Sequence, residues 1–547
     1  MKVLHAILSC AALVLLPVSC AAPQPSTTFA PPGVETRPAE TPPQPIVTPP
    51  ATTPTAIPSP TADRRPTIET PAWLNDAVIY QVFIRSFYDA NGDGIGDING
   101  LRQKLDYIQS LGADTIWINP HYPSPSYHGY DVSDYFAVNP QFGTMDDFKA
   151  LVSDLHQRGM RLIVDYVANH TSREHPFFKD AYGNPQSDYT KWFSFRDRNN
   201  LSYESFFGQG YMPEWNHAHR PASDYLIEAA LFWLDLGADG LRCDYARGVE
   251  DWFWERLRKA IKARHPQAVI LGEVWDSNTA ILQRYFNAGF DALFDFPWYL
   301  HMVNNENSIG RGVINGQTDP IILQVSLGAM QRLYPRGAQV VRFGSNHDTN
   351  RIASAVENDP RRMRLMAAAT ILLPGTPIIY YGEEIGMRGV KGNGPIYDEL
   401  RREPMDWYAA ESGPGMTTWF KPAGRNNQPH DGVSVEEQEP ATDSLLNFYR
   451  ALVMLRRQHL ALRSQTFQIM REVEQCATCF GIWRWDEQNA FALFLNFSDQ
   501  PQTARIAERP TSLALDGTPN ALFGVWENEA ALLPPWGFAL MQWRRTP

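Results

Sequence analysis

Eight short apolar, β-branched runs recur along the chain from residue 77 onward, and longer amphipathic stretches separate them. The runs fall at 77–84, 115–119, 161–166, 240–244, 268–273, 291–296, 340–345 and 376–381. Helical patterns such as 101–111, 146–158 and 227–236 lie between them. Several runs are continuously apolar, as strands covered on both faces must be, whereas a strand with one wet face alternates. Eight strands alternating with helices predict an α/β fold, a (β/α)8 TIM barrel. Roughly 70 residues separate the third and fourth strands, too many for an ordinary βα connection, so an inserted subdomain is expected at about 171–220. Beyond residue 460 the pattern turns to alternating segments at 490–497, 504–506 and 538–543. These predict a C-terminal antiparallel β-sandwich over 461–547, leaving 71–460 for the barrel.

The first residues are not part of that pattern. Lys2 precedes an apolar run over 6–18, too short for a mature membrane span, which reads as an export signal over 1–20. Cys20 follows Pro17-Val18-Ser19, similar to a lipoprotein box except that Pro17 stands where Leu is usual. Ordinary cleavage just beyond Cys20 is the alternative. Residues 21–70 are dominated by Pro, Thr and Ala, which cannot bury enough surface to offset their ordering entropy, so an extended tether is expected. A tether suits an anchor, which favours an extracellular or cell-surface protein held to the membrane through a lipidated Cys20. The net charge of -12 argues against a nucleic-acid partner and leaves a neutral substrate such as a sugar open. A monomer is expected. Cys476 and Cys479 form a lone C-x-x-C, which in an exported chain reads as a local disulfide rather than a zinc site. Cys243, between two polar residues on a strand, points away from both and reads as packing.

In a barrel enzyme the functional side chains sit where the strands end, on the loop-bearing face. Those ends read Asp165-Tyr166-Val167-Ala168-Asn169-His170, Gly240-Leu241-Arg242-Cys243-Asp244, Glu273-Val274-Trp275 and Asn346-His347-Asp348. One Asp after a strand is most often a helix N-cap, but four acidic clusters in barrel order are not explained that way. Retaining cleavage of a glycosidic bond needs one carboxylate to attack and one protonated carboxyl to donate, about 5–5.5 Å apart. Asp244 suits the first role, because Arg242, two residues earlier, shares its face and keeps it ionised and oriented. Glu273 suits the second, with the neighbouring charges of Asp244 and Asp348 raising its pKa. Asp348, His170 and His347 are placed to grip hydroxyls of the reacting sugar.

These segments resemble the signature regions of the α-amylase family, glycoside hydrolase family thirteen, and the resemblance runs from residue 73 to the C-terminus. It includes 112–120 on the second strand and 375–384 on the eighth. The resemblance implies a nucleophile at Asp244, an acid/base at Glu273 and a transition-state stabiliser at Asp348. It implies that Tyr130, His170, Arg242 and His347 line the subsite of the reacting glucose. Arg247 and Gly248 stand where many members carry Lys-His, so recognition of the leaving sugar is expected to differ. Met212-Pro213-Glu214-Trp215-Asn216 is similar to the Met-Pro-Asp-Leu-Asn of a subgroup between oligo-1,6-glucosidases and neopullulanases, with Glu and Trp as departures.

The loop from Asp89 to Asp97 sets oxygen ligands at Asp89, Asn91, Asp93, Ile95 and Asp97 between glycine turns, the pattern of a calcium loop. It starts like an EF-hand loop, but Gly100 holds the twelfth position, so it is not one. Similar loops bind calcium in several relatives; a hydrogen-bonded Asx/Gly turn is the alternative. Asn169 matches an asparagine that ligates a separate calcium in many α-amylases. Trp215, Trp275 and Tyr211 are candidates for stacking on sugar faces or for local packing. The leading expectation is an endo-acting hydrolase of α-1,4-glucans such as starch. Tyr130-Asp131 motivates an exo-acting α-glucosidase, because in oligo-1,6-glucosidase-like relatives the aspartate after that tyrosine recognises a chain end. A transglycosylase shares the same covalent intermediate. A non-catalytic glucan-binding homologue would have lost carboxylates that are all present here.

Overall fold

In a computed structural model of the chain, the described residues are 64–304, 311–394, 396–421, 424–471, 473–506 and 509–546. The export signal, Cys20 and the tether as far as residue 63 lie outside them. Among the described residues no helix is long and apolar enough to cross a membrane.

Eight parallel strands close into a barrel in chain order. They are β1 (Ile79–Val82), β2 (Thr115–Ile118), β3 (Arg161–Tyr166), β4 (Gly240–Cys243), β5 (Val269–Gly272), β6 (Ala292–Phe294), β7 (Gln339–Phe343) and β8 (Thr376–Tyr380). All but the first residue of β3 are buried, which is why the runs are apolar on both faces. Strand ends fall where a side chain starts the next element. Asp295, expected inside the sixth strand, instead accepts the Trp298 N–H at 3.2 Å and caps the helix Phe296–Met302. Asp244 and Glu273 lie one residue past β4 and β5 respectively, on the loops.

The helices follow the same local logic. Thr144 and Asp147 form a reciprocal capping box that starts the helix Met145–Gln157, whose Phe148, Leu151, Val152 and Leu155 face the barrel. The helix read from residue 227 begins earlier, at Arg220, because Pro221 fits a first turn, where no intrahelical N–H bond is lost. The helix read over 101–111 is two, Ile98–Gln103 and Leu105–Ser110, broken at Lys104. There the ammonium sits over the Tyr88 and Trp407 rings, 4.2 and 4.1 Å from their centroids.

Residues 64–70, read from composition as the end of the tether, run against the barrel. Arg65 donates to the Met330 and Tyr334 carbonyls, the Ile68 N–H donates to the Arg336 carbonyl, and the Arg336 N–H donates to the Pro66 carbonyl. The insertion after β3 is a short, irregular antiparallel unit held by bridges such as His170–Glu214 and Phe193–Trp215. Its core is aromatic: Phe177, Phe178, Phe193 and Trp215 pack ring on ring. At the C-terminus two antiparallel sheets of four and five strands pack together, and Cys476 and Cys479 form a disulfide. Cys243 is buried and free.

Candidate active site

The acids from three strand ends meet on one guanidinium. Arg242 is fully buried; its Nη1 donates to Asp244 Oδ1 at 2.8 Å and to Asp165 Oδ1 at 2.9 Å. Its Nη2 lies 2.8 Å from Glu273 Oε1. The planar cation rests near the Trp117 and Tyr130 rings, 5.2 and 5.8 Å from their centroids, which hold it between apolar faces. Tyr245, directly after Asp244, has φ 39 and ψ 52. A left-handed backbone costs a non-glycine residue about 1–2 kcal/mol, and here it turns the Tyr245 N–H on to Glu273 Oε2 at 2.9 Å.

The end of β7 supplies the opposite wall. His347 stacks on Tyr130 with ring centroids 5.4 Å apart, and its Nε2 lies 2.5 Å from the Tyr130 hydroxyl and 2.9 Å from Asp348 Oδ2. Gln81 Nε2 sits 2.8 Å from His347 Nδ1 and donates to Asn119 Oδ1. Nδ1 is therefore the acceptor, and the ring proton sits on Nε2, facing Asp348. Burial lowers His347 to about 4 and His170 to about 3, so both rings are neutral. Burial alone would raise Asp348, but His347, Arg402 and Arg401 outweigh it and hold the carboxyl below the usual range.

Asp244 and Glu273 are each pushed up to about 7. For Glu273 burial is the largest cause, Arg242 opposes it, and Asp244 and Asp348 add to it. The neighbouring charges expected to raise Glu273 thus act, but they rank below desolvation. Near neutrality the pair holds one proton between two carboxyls. Arg242 makes a well-aligned hydrogen bond to Asp244 and only a close approach to Glu273, which favours the ionised form of Asp244 and leaves the proton to Glu273. Asp165, expected only as part of a motif, is a third acid here and is raised by burial to about 6.

These groups open into a cavity of about 630 Å³ whose lining includes Tyr130, His170, Asp244, Glu273, Asp348 and Arg402. A second lobe of about 520 Å³ adds Arg247, Lys391 and Arg401, and both lobes share Phe207, Tyr245, Trp275 and Asp348.

Two buried carboxyls that share a proton and a third held ionised, gathered at the C-terminal face of a barrel, form an arrangement able to cleave a glycosidic bond. The model for the alpha-amylase catalytic domain matches residues 81–465. The chain belongs to the alpha-amylase family. Alpha-amylase 3 of Dictyoglomus thermophilum is 32% identical over 434 residues, covering 76% of this chain and 84% of that protein. A cyclomaltodextrinase of a Bacillus species is 30% identical over 479 residues, covering 82% and 77%. A crystal structure of an alpha-amylase from H.orenii has a TM-score of 0.72 at 30% identity and covers 86% of this chain and 99% of its own. Membership in glycoside hydrolase family thirteen makes the protein a hydrolase or transglycosylase of α-glucans.

Within this family member, seven of the expected residues converge as described: Tyr130, His170, Arg242, Asp244, Glu273, His347 and Asp348. Asp131 does not join them. Its carboxylate is 2% exposed and accepts the Ser124 and Ser126 hydroxyls at 2.5 and 2.8 Å, because the loop between them wraps round it. As placed, Asp131 is turned on to these serines and is not among the residues that line the cavity. Arg247 lines the second lobe, paired with Asp276 at 2.9 Å. Trp215 is core, 2% exposed, rather than a sugar platform, whereas Trp275 and Tyr211 line the cavity. Arg402 went unpredicted. It donates to Asp348 Oδ1 at 2.9 Å, to the His347 carbonyl at 2.9 Å and to the Tyr127 hydroxyl at 3.2 Å.

The expected calcium ligands lie on a loop of their own. Their donor chemistry, carboxylate, amide and carbonyl oxygen, fits a hard cation. In the structure Asp89 accepts the N–H groups of Asn91, Gly92 and Gly94, and Asp97 those of Ala90, Asn91 and Gly100. Asn91 and Asp93 sit at the exposed tip. Among the described residues no three acidic or histidine side chains group as metal ligands. Asn169 is buried beside His170, with its Nδ2 3.4 Å from the ring Nδ1.

Proposed function

We propose that the protein is an endo-acting α-amylase that cleaves α-1,4 bonds of starch-type glucans with retention. Asp244 attacks the anomeric carbon, Glu273 protonates the leaving oxygen and then activates water, and Asp348 steadies the sugar as it distorts. The observation that carries the mechanism is the single guanidinium of Arg242, which holds Asp244 and Glu273 face to face and hydrogen-bonds only the former. Endo action is supported by two adjoining lobes that share one set of walls, room for sugar on both sides of the cleaved bond. The removal of Asp131 on to its serines supports it further. Digesting starch, pullulan, maltotriose and an aryl α-glucoside with the purified protein tests this. Early release of mixed maltodextrins is expected; glucose as the sole product, with long polymers spared, overturns endo action.

We further propose a structural calcium on the loop from Asp89 to Asp97, supported by its donor set. The loop carries more than itself: Gly94 accepts the Thr418 and Trp419 N–H groups, and the Trp419 ring stacks on Tyr127 at 5.4 Å. Adding a chelator is expected to lower the melting temperature by several degrees, and calcium to restore it, with magnesium a poorer substitute. An Asp93→Ala variant should lose the calcium response. A melting temperature indifferent to chelator and calcium alike removes the ion from the loop.

A further inference from the structure

Among the described residues no large apolar side chain is more exposed than Phe207, 73% of whose surface is open. Its backbone is also left-handed, with φ 47 and ψ 31, a conformation that a bulky residue adopts only at a cost. Neither penalty is the accident of a loose loop. The hairpin carrying Phe207 is closed by Phe206 N–H to the Met212 carbonyl at 3.0 Å, Gly208 to Ser205 at 2.9 Å and Gln209 to Phe206 at 2.9 Å. Phe206 packs inward on His170 and Tyr245, with centroids 4.4 and 5.0 Å away. Phe207 then projects over Tyr245, ring to ring at 5.2 Å, where it lines both lobes of the cleft. Tyr245 is the residue whose own left-handed backbone donates to Glu273.

A ring left largely wet on a strained backbone gains little in return in the free protein beyond its contacts with Phe206 and Tyr245. A ligand with an apolar face would supply one, and the C–H face of a pyranose fits an aromatic face of that kind. We propose that Phe207, seated on Tyr245, is the platform for the sugar on the leaving side of the cleaved bond, and so sets the preference for long chains and for sugar over water as acceptor. This rests on the reading of the cleft as an α-glucan site. On the way in, the ring holds the sugar that will depart. Once it has departed, the same ring holds an acceptor sugar over the glycosyl-enzyme. The acceptor hydroxyl oxygen then bonds to the anomeric carbon, its proton passes to Glu273, and the bond to Asp244 breaks to regenerate the carboxylate. Without the platform, water takes that place more often.

The test uses the full-length protein and the variants Phe207→Ala and Phe207→Gly, with maltopentaose and α-maltosyl fluoride as substrates. Fluoride leaves nothing for the platform to hold. The loss in kcat/KM on maltopentaose is expected to exceed the loss on the fluoride by about tenfold. Transfer from the fluoride to added maltose should fall in step. Phe207→Gly should melt no lower than wild type, since glycine accepts a positive φ freely. Equal losses on both substrates, or wild-type behaviour on both, overturns the platform. A wild-type protein that cleaves no α-glucan overturns the underlying reading as well, and that result is distinguishable from the first two.

Discussion

Asp244→Asn is expected to lose hydrolysis of starch and of α-maltosyl fluoride alike, by about 10⁴-fold or more, because removing an attacking group ends the reaction whatever departs. The fold should survive. Asparagine keeps the shape, its amide oxygen can still accept from Arg242 Nη1, and Arg242 keeps its ion pair with Asp165 and its approach to Glu273. Glu273→Gln separates the two roles. Loss of a general acid costs about 10²–10⁴-fold where the leaving oxygen needs a proton. Fluoride needs none, so that substrate should lose far less in the first step. Asp244→Asn with wild-type activity on starch removes the assigned nucleophile, and equal losses in Glu273→Gln on both substrates remove the assigned acid.

The pH profile carries the same assignment. Burial raises the Asp244–Glu273 pair, each to about 7, and activity requires one proton on it. As pH rises through about 7 the last proton leaves and kcat/KM on starch should fall. Asp348, held down by His347 and the two arginines, stays ionised far to the acid side and sets no limb near neutrality. The alkaline limb should flatten in Glu273→Gln acting on the fluoride, because the titrating acid is gone.

The barrel and the acids were legible because both signals are local. A strand buried on both faces must be apolar along its length, and the residue that leaves it for the loop face is the next in sequence. Arg242 and Asp244 could be paired from spacing alone, since two residues on a strand return to the same face. Ends were less legible, because a cap such as Asp295 competes with the strand for one residue. Trp215 could not be told from a sugar platform, since the rings that bury it, Phe193 among them, come from elsewhere in the insertion. Asp131 reads as a site residue by adjacency to Tyr130, but the Ser124 and Ser126 hydroxyls decide its direction. Phe207 gave no sign at all. Its positive φ and its position between two lobes exist only once the hairpin has closed.

Arg402 is the extreme case of that limit, and it carries the second large effect. It lies on the loop after β8, outside any periodic pattern, and reaches back across the site to residues more than fifty positions earlier in the chain. It acts through them: one fork holds the Asp348 carboxylate, the His347 carbonyl and the Tyr127 hydroxyl in a fixed arrangement. Arg402→Lys keeps a positive charge but not the planar fork, so kcat is expected to fall about 10²-fold, as a misplaced catalytic group does. KM should change little by comparison, because the loss is felt as the sugar distorts rather than as it binds. Arg402→Ala should cost more and also lower the melting temperature, since removing one partner leaves buried charge uncompensated. The sign of the pH effect follows from the ionic state. Asp348 is depressed by His347, Arg402 and Arg401 in the folded protein, so weakening Arg402 raises its pKa and brings an Asp348 limb, which lies at the acid extreme in the wild type, to higher pH in the kcat profile. A purely structural arginine would lower stability without moving that limb. Arg402→Lys with the wild-type kcat and an unmoved acid limb would show that Asp348 is held in place without it.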